Sequence, residues 1–106
     1  MRLRVKYGCW WLPPWILAIV LYPFVLFKPK KDDVWESLAK HEMVHVRDIR
    51  LVSAVSFYLS YVMYYFAGLI RYMDHEMAYI DNPWERRAME AQERPLDEYE
   101  REELGL

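Results

Sequence analysis

Residues 41–45 read His41-Glu42-Met43-Val44-His45. On a helix, side chains four apart lie one above the other on one face, so both imidazoles can reach a single metal ion. Imidazole nitrogen is a preferred zinc ligand, at about 2.0–2.1 Å. Glu42, between the histidines, is the residue this pattern supplies as a general base. Zinc polarises a carbonyl and brings the pKa of a coordinated water towards about 7. The pattern therefore points to metal-assisted hydrolysis of an amide. Its simpler reading is a solvated His/Glu pair on a charged helix.

The flanks favour a helix. Asp33-Val34-Trp35-Glu36 has the form of a capping box, with Asp33 as N-cap and Glu36 at the third helical position. A helix opening there carries the motif on its second turn and runs to about Asp48. Val34, Trp35, Leu38, Val44, Val46 and Ile49 give it apolar surface to bury.

With 106 residues, the chain suits one domain with one modest core. Hydrophobic residues make up 55% of it, which argues against disorder. The net charge of −2 argues against a nucleic-acid partner. Cys9 is the one cysteine, so neither an internal disulfide nor a cysteine-rich zinc site is available, and its apolar neighbours make it a core residue rather than a nucleophile. Charge is uneven: residues 1–31 contain six basic residues and no acid, whereas 93–106 are mainly acidic.

Residues 2–7 alternate Arg2, Arg4 and Lys6 with Leu3, Val5 and Tyr7, the period of a half-buried strand, and Gly8 ends it. Pro13-Pro14 opens a short helix expected from about Pro14 to Tyr22, stopped by Pro23. Phe24–Lys28 reads as a second strand closed by Pro29, and Lys30–Asp33 as the loop into the motif helix.

No charged residue occurs from Tyr7 to Phe27 or from Leu51 to Ile70, and both stretches are long enough to span a bilayer. Basic residues before the first also resemble a signal anchor. Pro13, Pro14 and Pro23 interrupt that stretch. A span over 51–70 would be about 30 Å long and would part the histidines from everything beyond Arg71. A zinc site completed from the C-terminal part requires 51–70 to fold back as a core helix. Ser53, Ser56 and Ser60 at helical spacing suit close packing on a neighbouring helix. The expectation is a soluble cytoplasmic protein, with membrane association as the alternative.

A catalytic zinc usually has three protein ligands. His75, Glu76, Asp81, Glu85 and Glu90 are the downstream candidates. Asn82-Pro83-Trp84-Glu85 has the form of a helix start, with Asn82 as cap and Pro83 at the first position, which puts Glu85 on the first turn. Ala88 is small enough to let that helix approach another. His75 is the runner-up ligand; it, Tyr72 or Tyr79 could instead donate to the oxyanion of the reaction.

A His-Glu motif helix, a long apolar helix, and a helix opening Asn-Pro-aromatic-Glu with a following alanine together resemble the gluzincin zinc peptidases. The small size resembles the minigluzincins, minimal soluble scaffolds similar to the catalytic domains of integral-membrane metallopeptidases. The resemblance covers roughly residues 24–94. It implies His41, His45 and Glu85 as zinc ligands, Glu42 as general base, and a peptide or protein as substrate. The family often places an acid four residues after the ligand glutamate to orient a histidine ring. Met89 stands there in this chain, so such a partner must come from elsewhere; Asp48 and Asp81 are candidates, although a solvated surface acid is the simpler reading of each.

In the fold this resembles, the strand before the motif helix lies at the cleft edge and pairs with extended substrate, here Phe24–Lys28. Residues 1–94 would form the peptidase domain, with Pro95 ending the glutamate helix. The acidic tail, 95–106, would fold back into the cleft, drawn by Lys28, Lys30 and Lys31. There Asp97, Glu98 or Tyr99 would hold the enzyme latent, within one chain or by exchange of C-terminal segments in a homodimer. A competing reading is a non-catalytic zinc-stabilised binding module, which would need a fourth protein ligand. The expected architecture is α+β: a small N-terminal sheet packed on the motif helix, a long apolar backing helix and the glutamate helix.

Overall fold

The computed structural model describes residues 2–106. The architecture is α+β, with three short strands followed by five helices: β1 (Arg4–Lys6), β2 (Ala18–Leu21), β3 (Phe24–Phe27), α1 (Glu36–Val52), α2 (Ala54–Tyr72), α3 (His75–Ile80), α4 (Pro83–Ala91) and α5 (Glu98–Leu104).

The strand order is β1-β3-β2, with β1 parallel and β2 antiparallel to β3. Val5, Val25 and Val20 form one cross-strand row and turn into the main core, where Phe27 stacks on Tyr7 at 5.2 Å. Two expectations fail here. The helix over Pro14–Tyr22 is absent: after a turn at Pro13–Ile16, residues 18–21 pair with 24–27 through the two-residue connection Tyr22-Pro23. A run that is apolar on every side has no period to read, and the two faces of this strand bury in different clusters, Val20 in the main core and Ile19 beside Leu26. The strand at Phe24 is central rather than an edge, because β1 returns to pair with it in parallel.

The start of α1 also differs. Lys31–Asp33 form a 3-10 turn, the N-cap is Trp35 without a side-chain bond, and no capping box forms at Asp33. The Glu36 carboxylate instead accepts from the Leu96 backbone N–H at 2.9 Å and from Arg101 at 2.8 Å. The capping box of this chain is Asp97 with Glu100, at the start of α5. Tail residues have displaced local ones, since a carboxylate near two donors from another segment gains more than one cap bond offers.

Ser53, in the left-handed region at φ +79°, separates α1 from α2, and the two helices are bent by 116°. Among the described residues no single helix is long and apolar enough to cross a membrane. The stretch from Tyr7 to Phe27 is divided between a turn and two strands. Gly68 permits a close helix approach: a Cβ there would lie 2.8 Å from Ala78 Cα, so α3 lies directly on α2. Of the serines, Ser60 serves a helix contact, accepting from the Trp84 indole N–H at 2.9 Å and donating to the Ser56 carbonyl at 2.7 Å.

The C-terminal segment is part of the core. Leu96 and Leu104 are buried in the main cluster, and the Tyr7 hydroxyl donates to the Leu104 carbonyl at 2.5 Å. Lys40 and Glu100 form a buried ion pair at 2.7 Å, and Arg50 holds Glu103 at 2.7 Å. The tail's Glu100 and Glu103 thus pair with this chain's own α1, whereas the expected partners of the tail were Lys28, Lys30 and Lys31.

Candidate metal centre

α1 presents His41 and His45 one turn apart, ring centroids 5.0 Å from each other. The first turn of α4 presents Glu85. Its start is fixed by Asn82, fully buried, whose Oδ1 accepts from the Trp84 N–H at 3.1 Å while its amide donates to the Tyr61 carbonyl at 3.1 Å. Asn82 thereby caps α4 and pins it to α2. Trp84 packs on Phe57 of α2, and Phe57 packs edge-on against His45. Ala88, fully buried, lets α4 lie close to α1. The helix start and small residue inferred from the sequence therefore carry Glu85 to the histidines.

Glu85 Oε1 lies 2.9 Å from His41 Nε2 and 2.8 Å from His45 Nε2. One ligand atom from each of the three residues lies within 4.8 Å of the others. Glu85 Oε2 accepts from the Tyr61 hydroxyl at 2.6 Å. Burial alone would raise the Glu85 carboxyl. The hydrogen bonds of both histidines, the His45 charge and the Tyr61 hydroxyl outweigh it and hold the carboxyl well below the usual range. Its place near a helix N-terminus acts in the same direction.

Glu42 is buried beside this group. Burial raises its pKa, the two histidines partly offset the rise, and the Glu85 charge adds to it. Tyr61 and Tyr79 are both pushed upward, first by burial and then by the Glu85 charge, so their phenols stay protonated donors.

His41 Nδ1 lies 2.7 Å from Gln92 Oε1. The amide oxygen can only accept, so Nδ1 carries the proton and the lone pair of the neutral ring lies on Nε2, inside the cluster. His45 Nδ1 is buried and is the one such side-chain atom among the described residues without a partner. Two imidazole nitrogens and a carboxylate oxygen are a donor set that could hold a divalent metal ion, zinc among them, and three such ligands would leave a position open.

Several expected roles fall elsewhere. His75 is exposed at the first position of α3, its ring bonded to Tyr65, and is outside the cluster. Tyr72 donates to Asp81. Asp48, buried, faces Arg87 of α4 through contacts of 2.8 and 3.1 Å, and Asp81 pairs with Arg86. Neither acid orients a histidine of the cluster, and neither is merely solvated. Gln92 takes that part for His41. It was visible in principle, because it lies seven residues after Glu85 and hence on the same helical face. Tyr61, also missed, belongs to another helix, and no sequence spacing connects it to Glu85.

Asp97, Glu98 and Tyr99 do not reach the cluster. Asp97 caps α5, and α5 lies against Lys40, Met43, Val46 and Arg50. Those positions are about half a turn round α1 from the two histidines.

No known protein family, curated protein or solved structure matches the chain.

Proposed function

We propose that the chain is a zinc-dependent endopeptidase of gluzincin type, with His41, His45 and Glu85 as ligands and Glu42 as general base. The observation that carries this reading is the convergence of Glu85 from α4 on the two α1 histidines. Among the described residues no fourth His, Cys, Asp or Glu joins the cluster, which favours an open site over a closed structural one. Zinc bound there would act as a Lewis acid on the scissile carbonyl and acidify a coordinated water.

The chain's own residues divide the remaining work. Glu42 accepts the proton of the attacking water on its carboxylate and passes it to the leaving amide nitrogen. Its raised pKa suits both directions of transfer, because a base tuned towards the working pH both takes and releases a proton readily. Gln92 holds the His41 ring in the tautomer with Nε2 available. Tyr61 fixes the second Glu85 oxygen, limiting rotation of the carboxylate. A buried free thiol at Cys9 suits a reducing compartment, and the reading carries a cytoplasmic location.

The test is hydrolysis of an unfolded protein substrate by the zinc-loaded full chain. Glu42→Gln should lower the rate by at least about a hundredfold while zinc content stays at one ion per chain. Glu85→Ala and His45→Ala should empty the site. Hydrolysis by Glu42→Gln at the wild-type rate, or full zinc retention by Glu85→Ala, rejects the reading.

A further inference from the structure

The sheet has a second face, away from the main core. Register sets Arg4, Phe24 and Leu21 in one cross-strand row and Lys6, Leu26 and Ile19 in the next. The segment between β1 and β2 folds over part of this face, where Cys9, Leu12 and Leu26 form a small separate cluster. Lys28 Nζ ties that segment down by donating to the Leu12 and Pro13 carbonyls at 2.8 and 3.1 Å. Its tryptophans are nevertheless turned outward: Trp10, Trp11 and Trp15 are 83%, 59% and 79% exposed. Three exposed indoles on one short, tethered segment are more apolar surface than a solvated loop needs.

The stretch of chain that carries them has one sign of charge. Residues 2–31 contain six basic side chains and no acid, and Arg4 and Lys6 are exposed in the rows just described. Indoles concentrate at the level of lipid headgroups, and basic side chains beside them are drawn to anionic lipid. A second copy of the chain fits less well, since a two-fold contact would bring this basic face against itself. The indoles sit on turns of the segment that folds over the sheet's outer face, so the contact proposed here is one with the membrane surface.

We propose that the outer face of the sheet docks on an anionic phospholipid surface, with Trp10, Trp11 and Trp15 entering the headgroup layer and Arg4 and Lys6 meeting lipid phosphates. The test uses the full chain with vesicles of phosphatidylcholine alone and of phosphatidylcholine mixed with phosphatidylserine. Wild type should sediment with the mixed vesicles, with a blue shift of tryptophan emission, and should be released as salt is raised. Near an anionic surface each basic side chain accounts for about fivefold in partitioning, so Arg4→Gln with Lys6→Gln should weaken it by about 25-fold. Trp10→Ser with Trp15→Ser should abolish vesicle binding. The salt titration of wild type serves as the readout should either double variant fail to fold. No binding, equal binding to both vesicle types, or salt-independent binding overturns the proposal. So does a lipid-free dimer that the tryptophan variant loses, because the occupant would then be a second copy.

Discussion

Gln92, at the C-cap of α4, accepts a hydrogen bond from Nδ1 of His41 on α1 at 2.7 Å. Both ends of α4 therefore meet the same imidazole: its first turn through Glu85 at Nε2, and its last through Gln92 at Nδ1. The ring's orientation and tautomer are set by one rigid helix.

Gln92→Leu removes the acceptor at similar volume and frees the ring to rotate. Loss of a group that orients a metal-binding histidine costs about 10–100-fold in metal affinity. Competition with a chromophoric zinc chelator should reveal a loss in that range, and Gln92→Glu, which keeps an acceptor, should recover most of it. Unchanged affinity in Gln92→Leu would mean that the bond does not orient the ring.

Removing the C-terminal segment should unfold the chain rather than activate it. Glu100→Ala strands the buried Lys40 ammonium, and breaking a buried pair from one side costs about 3–5 kcal/mol. Leu104→Ala opens a core position, at about 2–5 kcal/mol. Urea denaturation should find both losses, and a chain ending at Arg94 should lack a cooperative transition. A stable truncated chain with raised peptidase activity would restore the latent-enzyme reading.

In the metal-free chain, pH acts on the His41–Glu85 contact from both sides. The His41 pKa is raised: burial opposes the rise, but bonds to Glu85 and Gln92 prevail. Its contribution is complete below the unfolded value, about 6.5, and is lost as pH rises through the folded one. The Glu85 carboxyl is depressed, so its contribution is present above about 4.3 and lost as pH falls towards the folded value. Metal-free stability should therefore peak between about pH 4.5 and 6.5. Zinc needs neutral imidazoles, so the stabilisation it adds should fall over the same range as pH is lowered. Thermal unfolding against pH, with and without chelator, checks both slopes. Parallel curves would contradict the assignment of His41 to the metal.

Legibility along the chain followed the range of the forces involved. The α1 motif and the α4 start could be read because each is a local matter: four-residue spacing, an Asn cap, and a proline at the first helical position. The capping box at Asp33 failed because a local bond lost to Leu96 and Arg101, some sixty residues away. Residues 18–21 failed because buried strand and buried helix look alike when both faces are apolar.

By itself the sequence determined the chemistry: two imidazoles on one helical face, a carboxylate beside them, and a second carboxylate at the start of another helix. Only the tertiary structure decided that these meet. The sharp bend at Ser53 and the burial of Asn82 against Tyr61 turn the uncharged middle of the chain back on itself. It also decided that the tail belongs to the core and that Gln92 and Tyr61 serve the cluster. Such partners are chosen by which side chains two packed helices bring within hydrogen-bonding reach, and a one-dimensional pattern does not encode that distance.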